Sequence, residues 1–225
     1  MEAQDFWKLL HVGTLVYWVG ADLGVFYAAH LITNPAYSPR TRAVLLKLLA
    51  WIDMIPRYML LLTFPVGAQL AAGLDLASIS GAWLWLVWIA AAGWIFMVRE
   101  IHRREGTTAA RTLGTIDLYL RLVFIGALVA SAIASFSVGQ PYATTWLALK
   151  VLLFAGAVSC GVAIRIAFKP FVPAFLRLVA EGSTPEVEAQ MKSTLARTRP
   201  FVIGIWCLAA ATAFIGLNHE RLFGS

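Results

Sequence analysis

Two short stretches of this chain carry the same charged pattern. Residues 51–57 read WIDMIPR and residues 115–121 read TIDLYLR, so Asp53 stands four residues before Arg57 and Asp117 four before Arg121. Positions four apart share one face of a helix, which lets each acid pair with its own base. Both motifs also head long apolar runs. A lone charge within hydrocarbon costs roughly 2.5–3.5 kcal/mol on insertion scales, and pairing lowers that cost. Two outcomes fit these residue types. The pairs Asp53–Arg57 and Asp117–Arg121 would be structural ion pairs that lock helices together, or Arg57 and Arg121 would clamp an anion such as a propionate inside the bundle. Asp22, midway along the first apolar run, has no basic partner in its own segment. It is expected to be protonated there, as a candidate catalytic acid, or to meet one of the two arginines.

Four histidines fall near the ends of apolar runs. His11 and His219 lie toward the end that carries both termini, and His30 and His102 toward the other. Helical rise separates His11 from His30 by roughly 28 Å, so they belong to different levels. Ligation of a haem b iron from two sides needs imidazoles facing each other at one level, which pairs His11 with His219 or His30 with His102. His11, His30 and His102 are the candidate metal ligands, with His11 the first choice. His219, followed by Glu220 and Arg221, reads as a terminal surface residue. The plainer account of each histidine is an interfacial polar side chain. Lys150 sits early in the fifth apolar run, at the depth of His11. It would be an interfacial anchor, or a desolvated amine that shares a polar pocket with His11 and moves protons or holds a carboxylate.

These residues need elements to position them. Hydrophobic residues make up 60% of the 225, charged residues 13%, about half the share of a soluble domain. The expectation is an all-α polytopic membrane bundle, a single transmembrane domain over residues 1–225. Six transmembrane helices are expected near 7–31, 43–73, 82–102, 112–137, 144–168 and 199–218. Pro56 and Pro65 would kink the second. The charged motifs extend into a longer rhyme. Trp83-Leu84 follows Asp53 by about the distance at which Trp146-Leu147 follows Asp117. Helices two and three therefore read as a duplicated hairpin of helices four and five, related by a pseudo-twofold axis along the membrane normal.

Lys and Arg crowd the loops opposite the termini, among them Arg40, Arg42, Lys47, Arg103, Arg104 and Lys169. The positive-inside bias makes those loops cytoplasmic and both termini periplasmic, in a bacterial inner membrane. The longest loop, 169–198, combines an interfacial stretch from Phe171 to Leu178 with a short polar helix over 185–197. Ser183-Thr-Pro-Glu186 reads as that helix's capped start. The acidic opening MEAQDFWKLLH has no basic leader region and no small-residue cleavage site, so no cleaved signal peptide is expected. Cys160 and Cys207 lie within apolar runs and read as packing residues.

The stretch His11-Val-Gly-Thr-Leu-Val-Tyr-Trp18-Val-Gly20 is similar to the opening helix of the HemJ-type protoporphyrinogen oxidases and of the CopD-type copper-resistance membrane proteins. Trp146-Leu147-Ala148-Leu149-Lys150 resembles the start of a later helix in the HemJ type. The likeness covers the first helix and parts of the fourth and fifth. It implies a haem b cofactor with His11 as a ligand and Lys150 as a catalytic or substrate-contacting residue. The first Trp-Leu departs from the pattern, with Val87 where the lysine would stand.

The leading functional expectation is a haem b-binding membrane oxidoreductase or electron-transfer protein. A porphyrin or quinone-like molecule would be its small-molecule partner, Arg57 and Arg121 would hold propionates, and Lys150 would assist proton transfer. A small-ion or solute transporter working through the Asp/Arg pairs and Asp22 is the second expectation. The third is an accessory subunit of a larger membrane complex, docking a partner or a second copy of itself. Nucleic acid is excluded as a partner by the lack of a basic patch interleaved with stacking aromatics. Phosphate-binding glycine loops, nucleophile elbows and His-Glu-x-x-His zinc motifs are also absent from the sequence.

Overall fold

The computed structural model of the protein describes residues 3–224. Among them the chain forms helices α1 (Ala3–Ile32), α2 (Pro39–Ile52), α3 (Met54–Gly73), α4 (Ala82–Arg103), α5 (Thr108–Val138), α6 (Thr145–Ala167), α7 (Phe171–Glu181) and α8 (Pro185–Phe223). Helices α1, α4, α5, α6 and α8 are long and apolar enough to cross a membrane. Many of their large apolar side chains point outward, including Val16, Tyr27, Trp85, Ile89, Val123 and Leu217. So much outward hydrocarbon is stable only when lipid covers it.

The single helix expected over 43–73 is divided. It stops at Ile52, and α3 starts at Met54 with Asp53 between them. Pro56 explains the break. It has no N–H to give the Ile52 carbonyl, and its ring crowds that carbonyl. Pro65 is accommodated inside α3. The polar helix over 185–197 also differs from expectation. It starts where its capping residues place it, with the Thr184 hydroxyl accepting from the Val187 N–H and Pro185 in the first turn. It then continues through Pro200 as one 39-residue helix whose backbone leaves helical geometry at Asn218. Burial of Val187, Met191 and Leu195 holds its first turns in place.

Two cores result. The central one gathers Trp18, Met54, Leu60, Val98, Val158 and Ile205 from α1, α3, α4, α6 and α8. The other lies at the end away from the termini, where α1, α2, α7 and the start of α8 pack Ile32, Leu49, Phe171, Leu178, Val187 and Met191. A wholly buried Arg42 pins this second core. Its guanidinium forms a two-pronged pair with Glu188, at 2.5 and 3.0 Å, and donates to the Ile32 carbonyl. That carbonyl belongs to the last turn of α1, which has no partner within its own helix. One side chain thus joins α1, α2 and α8.

Candidate functional site

A cavity of about 430 Å³ opens between α1, α3, α4, α6 and α8 near the end bearing the termini. Its wall includes His11, Gly67, Tyr142, Trp146, Lys150 and Thr212. The sequence expectation that His11 and Lys150 face one pocket matches this placement. Two glycines make it sterically feasible. A Cβ on Gly67 would lie 3.1 Å from His11 Cε1, so the imidazole packs on the bare α3 backbone. A Cβ on Gly216 would lie 2.7 Å from Lys150 Nζ, so the amine lies against α8 in the same manner.

Two polar groups in this wall are not used up by the fold. His11 Nδ1 is buried without a hydrogen-bond partner. Lys150 has neither a hydrogen bond nor an ion pair among the described residues, and its ammonium stands 5.6 Å from the centre of the Trp146 ring. Trp146 also meets the His219 ring, at 4.7 Å between ring centres, and His219 Nδ1 bonds the Gly216 carbonyl oxygen at 3.0 Å. His219 therefore lies against a wall residue and does not itself line the cavity.

Two loops make the wall at the end of the bundle. Ser78 N–H donates to the Pro141 carbonyl and Ala143 N–H to the Leu76 carbonyl, both at 2.9 Å. Ser78 Oγ adds a bond to Gln140 at 2.7 Å. Tyr142 is fixed from below by Ser131 and Ser135 of α5, each at 3.1 Å. The connections α3–α4 and α5–α6 are thereby joined across the cavity.

The other candidate residues lie elsewhere. Arg57 and Arg121 do not line this cavity. Arg57 bonds Asp53 through Nε at 2.8 Å. Arg121 bonds Asp117 at 3.1 Å and stands 5.7 Å over the Trp94 ring. Asp22 accepts from the Trp206 indole N–H at 2.8 Å; of its two expected states, protonated or paired with Arg57 or Arg121, neither arginine bonds it. His30 is exposed near the end of α1. His102 lines a second cavity at the opposite end of the bundle. No group of three or more His, Cys, Asp or Glu residues able to hold a metal ion occurs among the described residues.

Sequence reasoning missed Arg165, whose Nη1 reaches Asp117 at 2.7 Å and whose Nη2 reaches the Gly114 carbonyl at 2.7 Å. It also missed the Arg42–Glu188 pair. The sequence reading of the capped helix start singled out Glu186; the acid that pairs with Arg42, 146 positions away, is Glu188. Comparison with protein-family models, with curated proteins and with solved structures finds no match to this chain.

Proposed function

We propose that the His11–Lys150 cavity is the working site of a membrane oxidoreductase that carries haem b. The observation that carries this reading is the joint placement of an imidazole and an ammonium, neither bonded to the protein, in one wall of a 430 Å³ cavity. That volume falls within the 300–1,000 Å³ typical of cofactor and small-molecule sites. Among the wall residues His11 offers the one imidazole, so it would hold the iron of a bound haem. Bound haem would supply a one-electron couple tuned by its axial ligand and surroundings.

The chain's own residues would do the rest. Lys150 would hold a carboxylate of the porphyrin or of an apolar acid substrate, or return a proton to it. Phe64, Phe154 and Trp146 would exclude water from the flat part of the ligand. Arg57 and Arg121 have no part in this site, which removes the propionate role from them. In the same reading α3, 20 residues or about 30 Å long, is the sixth crossing. The two hairpins α3–α4 and α5–α6 are then the duplicated unit. The cation-rich end faces the cytoplasm of a bacterial cell, and both termini face outward.

An absorption spectrum of the detergent-purified protein, oxidised and then dithionite-reduced, tests the proposal. The expected result is a Soret band that shifts on reduction and disappears in His11→Ala. A featureless spectrum from protein made in haem-replete cells would remove the haem reading.

A further inference from the structure

The second cavity, about 350 Å³, lies at the end of the bundle away from the termini. Its two sides differ in chemistry. One is Trp51, Met54, Ile55 and Tyr58, which straddle the α2–α3 break at helical spacing. The other is Arg99, His102 and Arg103, one face of the last turns of α4. An apolar and aromatic wall thus opposes a cationic one, and no acid lines the space between them.

Two of the nearby acids, Glu100 and Asp53, are already paired. Both oxygens of Glu100 are taken by Arg103 and Arg104, through three bonds of 2.7–2.9 Å. Asp53 is taken by Arg57. Arg99 is exposed and makes no hydrogen bond or ion pair among the described residues. It has five N–H donors in a planar fork that suits phosphate oxygens. His102 and the Tyr58 hydroxyl add two further donors at the same cavity. Below the cations, Phe96 lies outward on α4 one turn nearer the bundle centre, and on the opposite side Val44, Leu48 and Trp51 form an exposed stripe along α2. A free inorganic anion would leave this apolar surface without a contact. An amphiphile satisfies both walls, with its head on the cations and its chains on the aromatics.

We infer that this cavity is a site for the phosphate headgroup of an anionic phospholipid, held by Arg99 and His102 with the acyl chains against Trp51 and Phe96. The site is independent of the His11–Lys150 cavity and of any haem. It places a lipid at the junction between α2 and α3, beside Asp53.

The test uses delipidated full-length protein in detergent, incubated with phosphatidylglycerol or phosphatidylcholine, with retained lipid counted by native mass spectrometry. Phosphatidylglycerol should be retained at least tenfold more than phosphatidylcholine. Arg99→Gln should lower that retention roughly tenfold, the loss expected for charge-assisted bonds to phosphate. Arg104→Gln, outside the cavity wall, should leave it unchanged. Equal retention of both lipids, or an Arg99→Gln protein that retains phosphatidylglycerol like the parent, would overturn the inference. Displacement of phosphatidylglycerol by excess inorganic phosphate would reassign the cavity to a free anion. Should Arg99→Gln not fold, Arg99→Lys and His102→Gln make the same comparison: both should retain less phosphatidylglycerol than the parent, and parent-like retention by both would overturn the inference.

Discussion

The two Asp-x-x-x-Arg motifs are alike in sequence and unlike in structure. Asp117 is only 5% exposed and receives three donors, from the Arg121 and Arg165 guanidiniums and the Trp94 indole. It ties α4, α5 and α6 together. Asp53 occupies the junction between α2 and α3 and bonds to Arg57, whose side chain is 52% exposed. The four-residue spacing secures the local pair in both cases. What the pair is worth depends on whether neighbouring helices bring further donors and exclude water, and that is a property of the packing.

The largest effect should follow from Asp117→Ala. It would strand two arginines in a part-buried site and cost about 3–5 kcal/mol, the range for breaking one partner of a buried ion pair. Thermal or denaturant unfolding in detergent would show it, and a loss below about 1 kcal/mol would mean that the Asp117 cluster is no lock. Arg165→Gln is the next test. It removes one charged donor from Asp117 and another bond from the Gly114 carbonyl, and about 1.5–3 kcal/mol should be lost. If Arg165→Gln were silent, Arg121 and Trp94 would suffice for Asp117 and the contrast between the motifs would shrink. The smallest effect belongs to Asp53→Ala, about 0.2–1 kcal/mol, as for exposed pairs. Double-mutant cycles sharpen the point, since the Asp117–Arg121 coupling should exceed the Asp53–Arg57 coupling.

The same contrast marks what the sequence could reveal. Helices α1, α4, α5 and α6 were legible to within a few residues because apolar length is a local property, and lipid rewards it directly. The break at Asp53 was half legible: Pro56 signalled a disturbance, but whether a proline bends or divides a helix depends on what packs around it. The continuation of α8 through Pro200 is the opposite case, where burial of the flanking turn outweighs the missing hydrogen bond. Partners distant in the chain left no local trace. Arg165 lies 48 positions from Asp117, and Trp206 lies 184 from Asp22. His11 and Lys150 could be matched by depth alone, since each stands a known number of turns from the same end of the bundle. The glycines that let both groups pack against neighbouring backbones could be recognised only after the helices were in contact. Even the paired Trp-Leu anchors diverge, with Trp83 70% exposed and Trp146 8%.

The joined loops over the His11–Lys150 cavity carry a consequence for supply. Leu76–Ser78 and Pro141–Ala143 hold each other by backbone bonds, so a solute arriving from the aqueous phase meets a stapled wall. A molecule already dissolved in the bilayer would instead approach through the apolar flanks of the bundle. Loading would then follow how strongly a compound partitions into lipid and how fast it diffuses in two dimensions, with its bulk aqueous concentration entering only through that partition. The protein would select by solubility before any polar group in the cavity is touched.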